Sequence, residues 1–304
     1  MINNQITDQY NKKDYLIKLK KINYNKLFMP EELSPLYYTD SYLKLSPEAR
    51  LRYNQLNTLY CNEQIYFFER TLSVFLISSA KYLPIQLANQ VEKMVKEELV
   101  HADLFYKLNM IAAPEYYKDN KHFFINLSIG LKKVFHMLML YPRFFPFFIW
   151  IIMLMEEKAV FHSLSYSKHK NKIEENFLEI YFYHLEDEES HLSLGKDLET
   201  YLWKPRNSLS KKINAKMFSI FINNFFSSPG KSSAKIIDTL LAEDKISLAE
   251  CKKIKYELSQ LKNNLDYRLS QFSPQICPNT YTELRSLSEF DLLINILPKY
   301  NVYD

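Results

Sequence analysis

The stretch His184-Leu185-Glu186-Asp187-Glu188-Glu189-Ser190-His191 decides how this chain is read. In a helix of 3.6 residues per turn, positions 184, 188 and 191 fall at i, i+4 and i+7, so one imidazole, one carboxylate and a second imidazole share a narrow face. A second motif, EELVH at residues 97–101, sets Glu98 and His101 three apart and therefore on one side of another helix. Both motifs sit in patterns too long and too regular for loops.

Around them the sequence spells four long helices. Ser46-Pro47-Glu48 is a helix start: Ser caps, Pro suits the first helical position, and Glu complements the positive end of the dipole. This first pattern runs to about Tyr82. A second follows Pro84 and ends before Ala113-Pro114, because proline cannot continue the ladder. After a polar connector at 115–121, residues 122–141 read as helical. A third long helix follows Pro146 to about Lys168, and a fourth runs from near Lys172 to Trp203, stopped by Lys204-Pro205. Ser208 to Phe226 and Ala234 to about Phe272 read as further helices. The organisation expected is all-α: an N-terminal extension over 1–44, a four-helix bundle over 45–205, and a C-terminal helical extension over 206–304 packed on the bundle.

Composition agrees. The chain is 47% hydrophobic and 24% charged, a globular balance, and its three glycines against 23 tyrosines and 21 phenylalanines leave few positions for tight turns. The net charge of +4 is scattered without a basic stripe, which speaks against nucleic acid as a partner. Cys61, Cys251 and Cys277 form no CxxC pair, and MINNQITDQYNKKDY at the start has no apolar core, so a cytoplasmic setting is expected. Phe144–Met155 reads FFPFFIWIIMLM but stops at Glu156-Glu157, short of the ~20 apolar residues a bilayer crossing needs, so no membrane span is expected.

The first and third helices each offer an acid that can face inward: Glu63, with Glu69 as its alternative, and Glu157, with Glu156 as its alternative. Two Glu-x-x-His motifs with one Glu from each of two other helices make the ligand arrangement of bundle-core dinuclear carboxylate proteins. Two divalent ions ~4 Å apart carry a charge that bridging carboxylates neutralise, while imidazoles leave positions open. The expected metal ligands are thus Glu63, Glu98, His101, Glu157, Glu188 and His191, holding two iron ions, with manganese equally suited to the donors. Glu97, Glu156, Glu186, Asp187 and Glu189 neighbour these ligands as outer or salt-bridging groups. His136, His162 and His169 are read as ordinary residues.

The order Glu63, Glu98-x-x-His101, Glu157, His184-x-x-x-Glu188-x-x-His191 resembles the di-iron arylamine N-oxygenases, over residues 45–205. The resemblance implies a ferritin-like bundle and adds His184 as a third histidine ligand. It further implies a reduced di-iron centre that uses O2 to oxygenate a small-molecule amine. Since no flavin or nicotinamide fingerprint is present, electrons would come from a separate reductase; a homodimer is compatible. By helical spacing Tyr66, Phe67, Phe105, Phe161 and Tyr181 line either a substrate pocket beside the metals or plain core. Two other readings use the same bundle: an acyl-chain desaturase or hydroxylase, and a non-catalytic iron-binding protein.

Overall fold

The structure is a computed structural model that describes residues 19–125, 128–225 and 229–301. Its helices are α1 (Pro47–Ala80), α2 (Ile85–Ala112), α3 (Pro114–Tyr117), α4 (Ile129–Met139), α5 (Phe148–Lys168), α6 (Glu175–Leu198), α7 (Ser208–Phe225), α8 (Lys231–Ala242), α9 (Leu248–Gln260), α10 (Leu265–Gln271) and α11 (Pro278–Arg285). Among the described residues there is no β-strand, only one isolated parallel bridge between Leu27 and Ile173. The chain is all-α, and α1, α2, α5 and α6 form the bundle.

Two of the four long helices, α1 and α6, start where a side chain satisfies free N–H groups. The Ser46 side chain accepts from Ala49 N with Pro47 next in line, and the Glu174 carboxylate accepts from Asn176 N and Phe177 N to open α6. α1 packs along α2 and α5 along α6 as two hairpins, and α2 crosses to α6. Chain direction follows from the contacts. Phe75 late in α1 meets Phe148 at the start of α5, and Trp150 early in α5 meets Trp203 just beyond α6, so these termini share one end. Asn62 of α1, Asn109 of α2 and Tyr181 of α6 hydrogen-bond toward the other end. α2 and α5 therefore run parallel, and the connection between them travels back along the bundle, as in ferritin-like topologies with one long crossover.

Two apolar cores fill this bundle, one at each end. The first gathers Phe75, Leu76, Val91, Trp150, Leu198 and Trp203 with α7 and the C-terminal residues Phe290 and Leu293. The second gathers Tyr53, Leu56, Phe105, Leu108, Tyr166 and Phe177 with α8, α9 and residues 22–45. Both terminal segments, as far as they are described, thus complete the cores of the bundle; residues 1–18 of the expected N-terminal extension lie outside the described residues. α5 and α6 approach closely at Gly195, where an added Cβ would stand 2.6 Å from Met153 Cγ. Between the two cores lies a polar layer.

Two expectations change. Residues 122–125 are not helical, and α4 begins only at Ile129 after a Ser128 cap. The single helix expected over 234–272 is three, because Asp244 takes a left-handed φ of 54° and the Ser247–Glu250 capping box starts α9 afresh. A further short helix, α11, belongs to the C-terminal extension. Among the described residues no helix is long and apolar enough to cross a membrane; the apolar start of α5, residues 148–154, is buried within the first core.

Candidate metal centre

The polar layer takes side chains from all four bundle helices. Two groups of side chains have donor atoms within 4.8 Å of one another and can hold metal ions: Glu69, Glu98, His101 and His184 in one, and Glu98, Glu156 and His191 in the other. Glu98 belongs to both. His191 Nδ1 lies 3.0 Å from Glu98 Oε1, 3.5 Å from Glu156 Oε2 and 3.8 Å from Glu188 Oε2. His184 Nε2 lies 3.0 Å from Glu69 Oε1 and 2.8 Å from Glu188 Oε1, so Glu188, fully buried, reaches toward both groups.

These close approaches leave many donors unsatisfied. Both oxygens of Glu69 and of Glu188, Glu98 Oε1, both nitrogens of His101, His184 Nδ1 and His191 Nδ1 are buried and make no hydrogen bond of good geometry, their close approaches to one another and to Asp187 being misaligned ion-pair contacts. Buried polar atoms are normally paired, and so many orphans in one layer are what a site built for cations shows. The donor set, carboxylate and imidazole without thiolate, suits iron or manganese. The residues fit a pair of such ions.

Electrostatics point the same way. Burial and the neighbouring Glu98 charge push Glu188 up, and burial with the nearby Glu98 and Glu188 carboxylates sets Glu69 and Glu156 well above the usual carboxylate range, although His184 at Glu69 and His191 at Glu156 pull the other way. Burial also opposes the Glu98 charge, but His101 and His191 outweigh it and hold that carboxyl well below its ordinary value. Against burial, Asp187 and Glu98 lift His101 to about 9, and Glu156 and Glu98 lift His191 to about 12. Without metal, the layer therefore stores protons that entering cations would displace.

The outer nitrogens of two histidines meet carboxylates. His191 Nε2 hydrogen-bonds Glu97 Oε2 at 3.3 Å, and Asp187 Oδ2 stands 3.3 Å from His101 Nε2. Metal-ligating histidines are generally held this way, with the outer N–H on a carboxylate that fixes tautomer and ring orientation. Glu97 and Asp187 thus occupy the outer positions that their sequence neighbours to Glu98 and Glu188 suggested.

Two of the expected ligands lie elsewhere. Glu63 is buried, but its oxygens accept from Tyr117 Oη at 2.6 Å and from the backbone N–H groups of Phe123, Phe124 and Ile125 at 2.8–3.0 Å, so it anchors the segment after α3. Its place in the layer is taken by Glu69, six residues and ~9 Å further along the helix. Glu157 accepts from Asn279 N, Asn279 Nδ2 and Thr280 N, each at 2.8 Å, and so ties the start of α11 to α5. Its neighbour Glu156, turned 100° around α5, faces the layer instead. The other five, Glu98, His101, His184, Glu188 and His191, come together.

A small cavity of about 50 Å³ lies in the layer, lined in part by Glu69, Glu98, Glu156 and His184. A larger one of about 250 Å³ adjoins it, and the two share Ile65, Met155, Ala159 and His184 as lining. Its largely apolar lining also carries polar side chains, among them Gln64, Lys158, His162 and Gln271. Lys158 there donates to Gln271 Oε1 at 3.0 Å, and burial lowers it to about 8; burial lowers His162 to about 3. Of the aromatics proposed to line a pocket, Tyr181 does, and Phe105 packs against His184 with ring centroids 5.3 Å apart. Tyr66 instead meets Tyr106 and His122, Phe67 lines a separate small hollow near α4, and Phe161 packs against both cores. Lys158 goes unmarked in the sequence and His162 reads there as an ordinary residue, although Met155, Lys158, Ala159 and His162 make one helical face in which a lysine and a histidine interrupt apolar residues.

Comparisons with protein-family models, with curated proteins and with solved structures find nothing that matches this chain.

Proposed function

We propose that the chain is a non-haem di-iron oxygenase, acting on a small amine with O2 and with electrons from a separate reductase. One observation carries the reading: Glu98 is common to two Glu/His groups in a buried layer that adjoins a cavity of substrate size. A metal store would not need that cavity.

Glu98 would bridge two ions, with Glu69, His101 and His184 on one side and Glu156 and His191 on the other, and Glu188 between them. Bound reduced iron supplies O2 activation and oxygen transfer. The protein does the rest. Asp187 and Glu97 hold His101 and His191 in orientation, and the two apolar cores keep bulk water from the layer. The larger cavity would seat the substrate against His184, with Tyr181 on its wall and the Lys158 and His162 end meeting the substrate's polar group. Its size and polar side chains favour a compact polar molecule over an acyl chain, which needs a long apolar channel.

The reading is tested by loading the protein with iron, reducing it chemically and following O2 uptake with and without a panel of aromatic and aliphatic amines. Amine-dependent uptake with hydroxylamine, nitroso or nitro products is expected. Iron binding without any product across the panel contradicts the oxygenase reading.

A further inference from the structure

Folding brings together two segments that contain no acid. Between Asp119 and Glu156, and again between Glu199 and Asp238, the sequence has no Asp or Glu, while Lys132, Lys133 and Arg143 lie in the first and Lys204, Lys212 and Lys216 in the second. These segments touch. Phe135 of α4 packs on Phe221 of α7, with ring centroids 5.8 Å apart, Asn214 Nδ2 donates to Phe144 O at 3.0 Å, and Arg206 Nη1 donates to Arg143 O at 3.3 Å.

The outer face of this pair is apolar as well as basic. On α4 the exposed Val134 and Met137 share one side at i and i+3, and Tyr141 and Phe144 just beyond the helix are also exposed, Phe144 at 69%. On α7 the exposed Leu209, Ile213 and Ile220 align with Lys216 at i, i+4, i+11 and i+7, and Leu209 is 69% exposed. The inward face of α7 is separate, made by Ala215, Phe218 and Ile222. An apolar stripe flanked by lysines is the pattern of an element that rests in a membrane interface. The lysines of these acid-free segments, exposed Lys212 and Lys216 among them, add attraction to anionic headgroups. A second copy of the chain suits this face poorly, because two-fold pairing would set lysine against lysine.

We propose that the α4–α7 face binds the surface of an anionic lipid bilayer, peripherally and without a span. The wedge from Val134 to Phe144 and the α7 stripe enter the headgroup boundary, and the lysines meet lipid phosphates.

The test is flotation of the full chain with vesicles of phosphatidylcholine alone and of phosphatidylcholine with 40% phosphatidylglycerol, at ~50 and ~500 mM salt, with salt acting through screening. The expected result is binding to the anionic vesicles, at least tenfold weaker in high salt and on neutral vesicles. Phe144→Glu with Ile213→Glu, and separately Lys212→Glu with Lys216→Glu, should each lower binding at least tenfold while circular dichroism stays unchanged. Leu265→Glu, at an exposed apolar residue elsewhere, should leave it intact. The proposal is overturned by equal binding to neutral and anionic vesicles, by no binding, or by an equal loss in Leu265→Glu. It is also overturned if the α4 and α7 variants disrupt only a dimer in light scattering, or only capture of an acidic protein.

Discussion

Replacing Glu63 with Ala separates the two roles an inward acid on α1 can have. The change strips the acceptor from Tyr117 Oη and from three backbone N–H groups at 123–125. Tyr117 and Phe124 are fully buried, so each unmet donor costs about 1–3 kcal/mol, whereas Phe123 and Ile125 are half-buried and regain water. Burial raises the Glu63 carboxyl against the hydrogen bonds that lower it, so some desolvation is recovered when it goes. The net loss is about 3–4 kcal/mol. At about 2 °C per kcal/mol for a chain of this length, Tm falls by roughly 6–8 °C. Thermal unfolding by circular dichroism, with metal content of the folded protein by plasma mass spectrometry, should show that loss at unchanged metal stoichiometry. Glu69→Ala should show the reverse: lost metal and little loss of the metal-free Tm. A Glu63→Ala protein that loses metal at unchanged Tm would refute the placement of both acids.

On α5 the same contrast applies: Glu156→Ala should lower metal content, whereas Glu157→Ala should keep metal but free α11, seen as faster proteolysis near residues 272–280; the opposite pattern would reverse the two roles. Asp187→Asn should weaken metal affinity about 10–100-fold without abolishing binding, measured by competition with a chelating dye, because it disturbs the orientation of His101 and leaves the ligand set intact. His162 is held neutral by burial, at about 3 against 6.5 when unfolded. Its contribution to stability is therefore present above pH 6.5 and is lost as the pH falls toward 3, the unfolded chain taking the proton first. His162→Gln should flatten the dependence of urea-unfolding free energy between pH 6.5 and 4; parallel curves for the two proteins would count against a buried neutral imidazole.

The bundle was legible because its signals are local. Ser46-Pro47, the prolines at 84 and 114, and the i, i+4, i+7 face of α6 each speak through backbone geometry that neighbours cannot override. The motif residues Glu98, His101, Glu188 and His191 come together for the same reason: spacing fixes their faces, and α2 and α6 pack directly. What the sequence could not carry was axial register and rotation. Nothing local sets Glu69 rather than Glu63 at the depth of the histidines, since that depends on how far α1 slides along α2. Glu156 and Glu157 differ by 100° of rotation, and the choice between them is made by the distant Asn279 and Thr280, which claim Glu157. The larger cavity was illegible because residues from α1, α5, α6, α8 and α10 meet there. The basic apolar face was hidden because its two halves are far apart in sequence.

Anomalous diffraction from iron-loaded crystals tests the central claim most directly. Two iron peaks, ~3.5–4 Å apart as in other two-metal sites, are expected in the layer between the two cores. Glu98 should bridge them, with Glu69, His101 and His184 at one and Glu156 and His191 at the other. One iron, no iron, or iron held by Glu63 or Glu157 would contradict it.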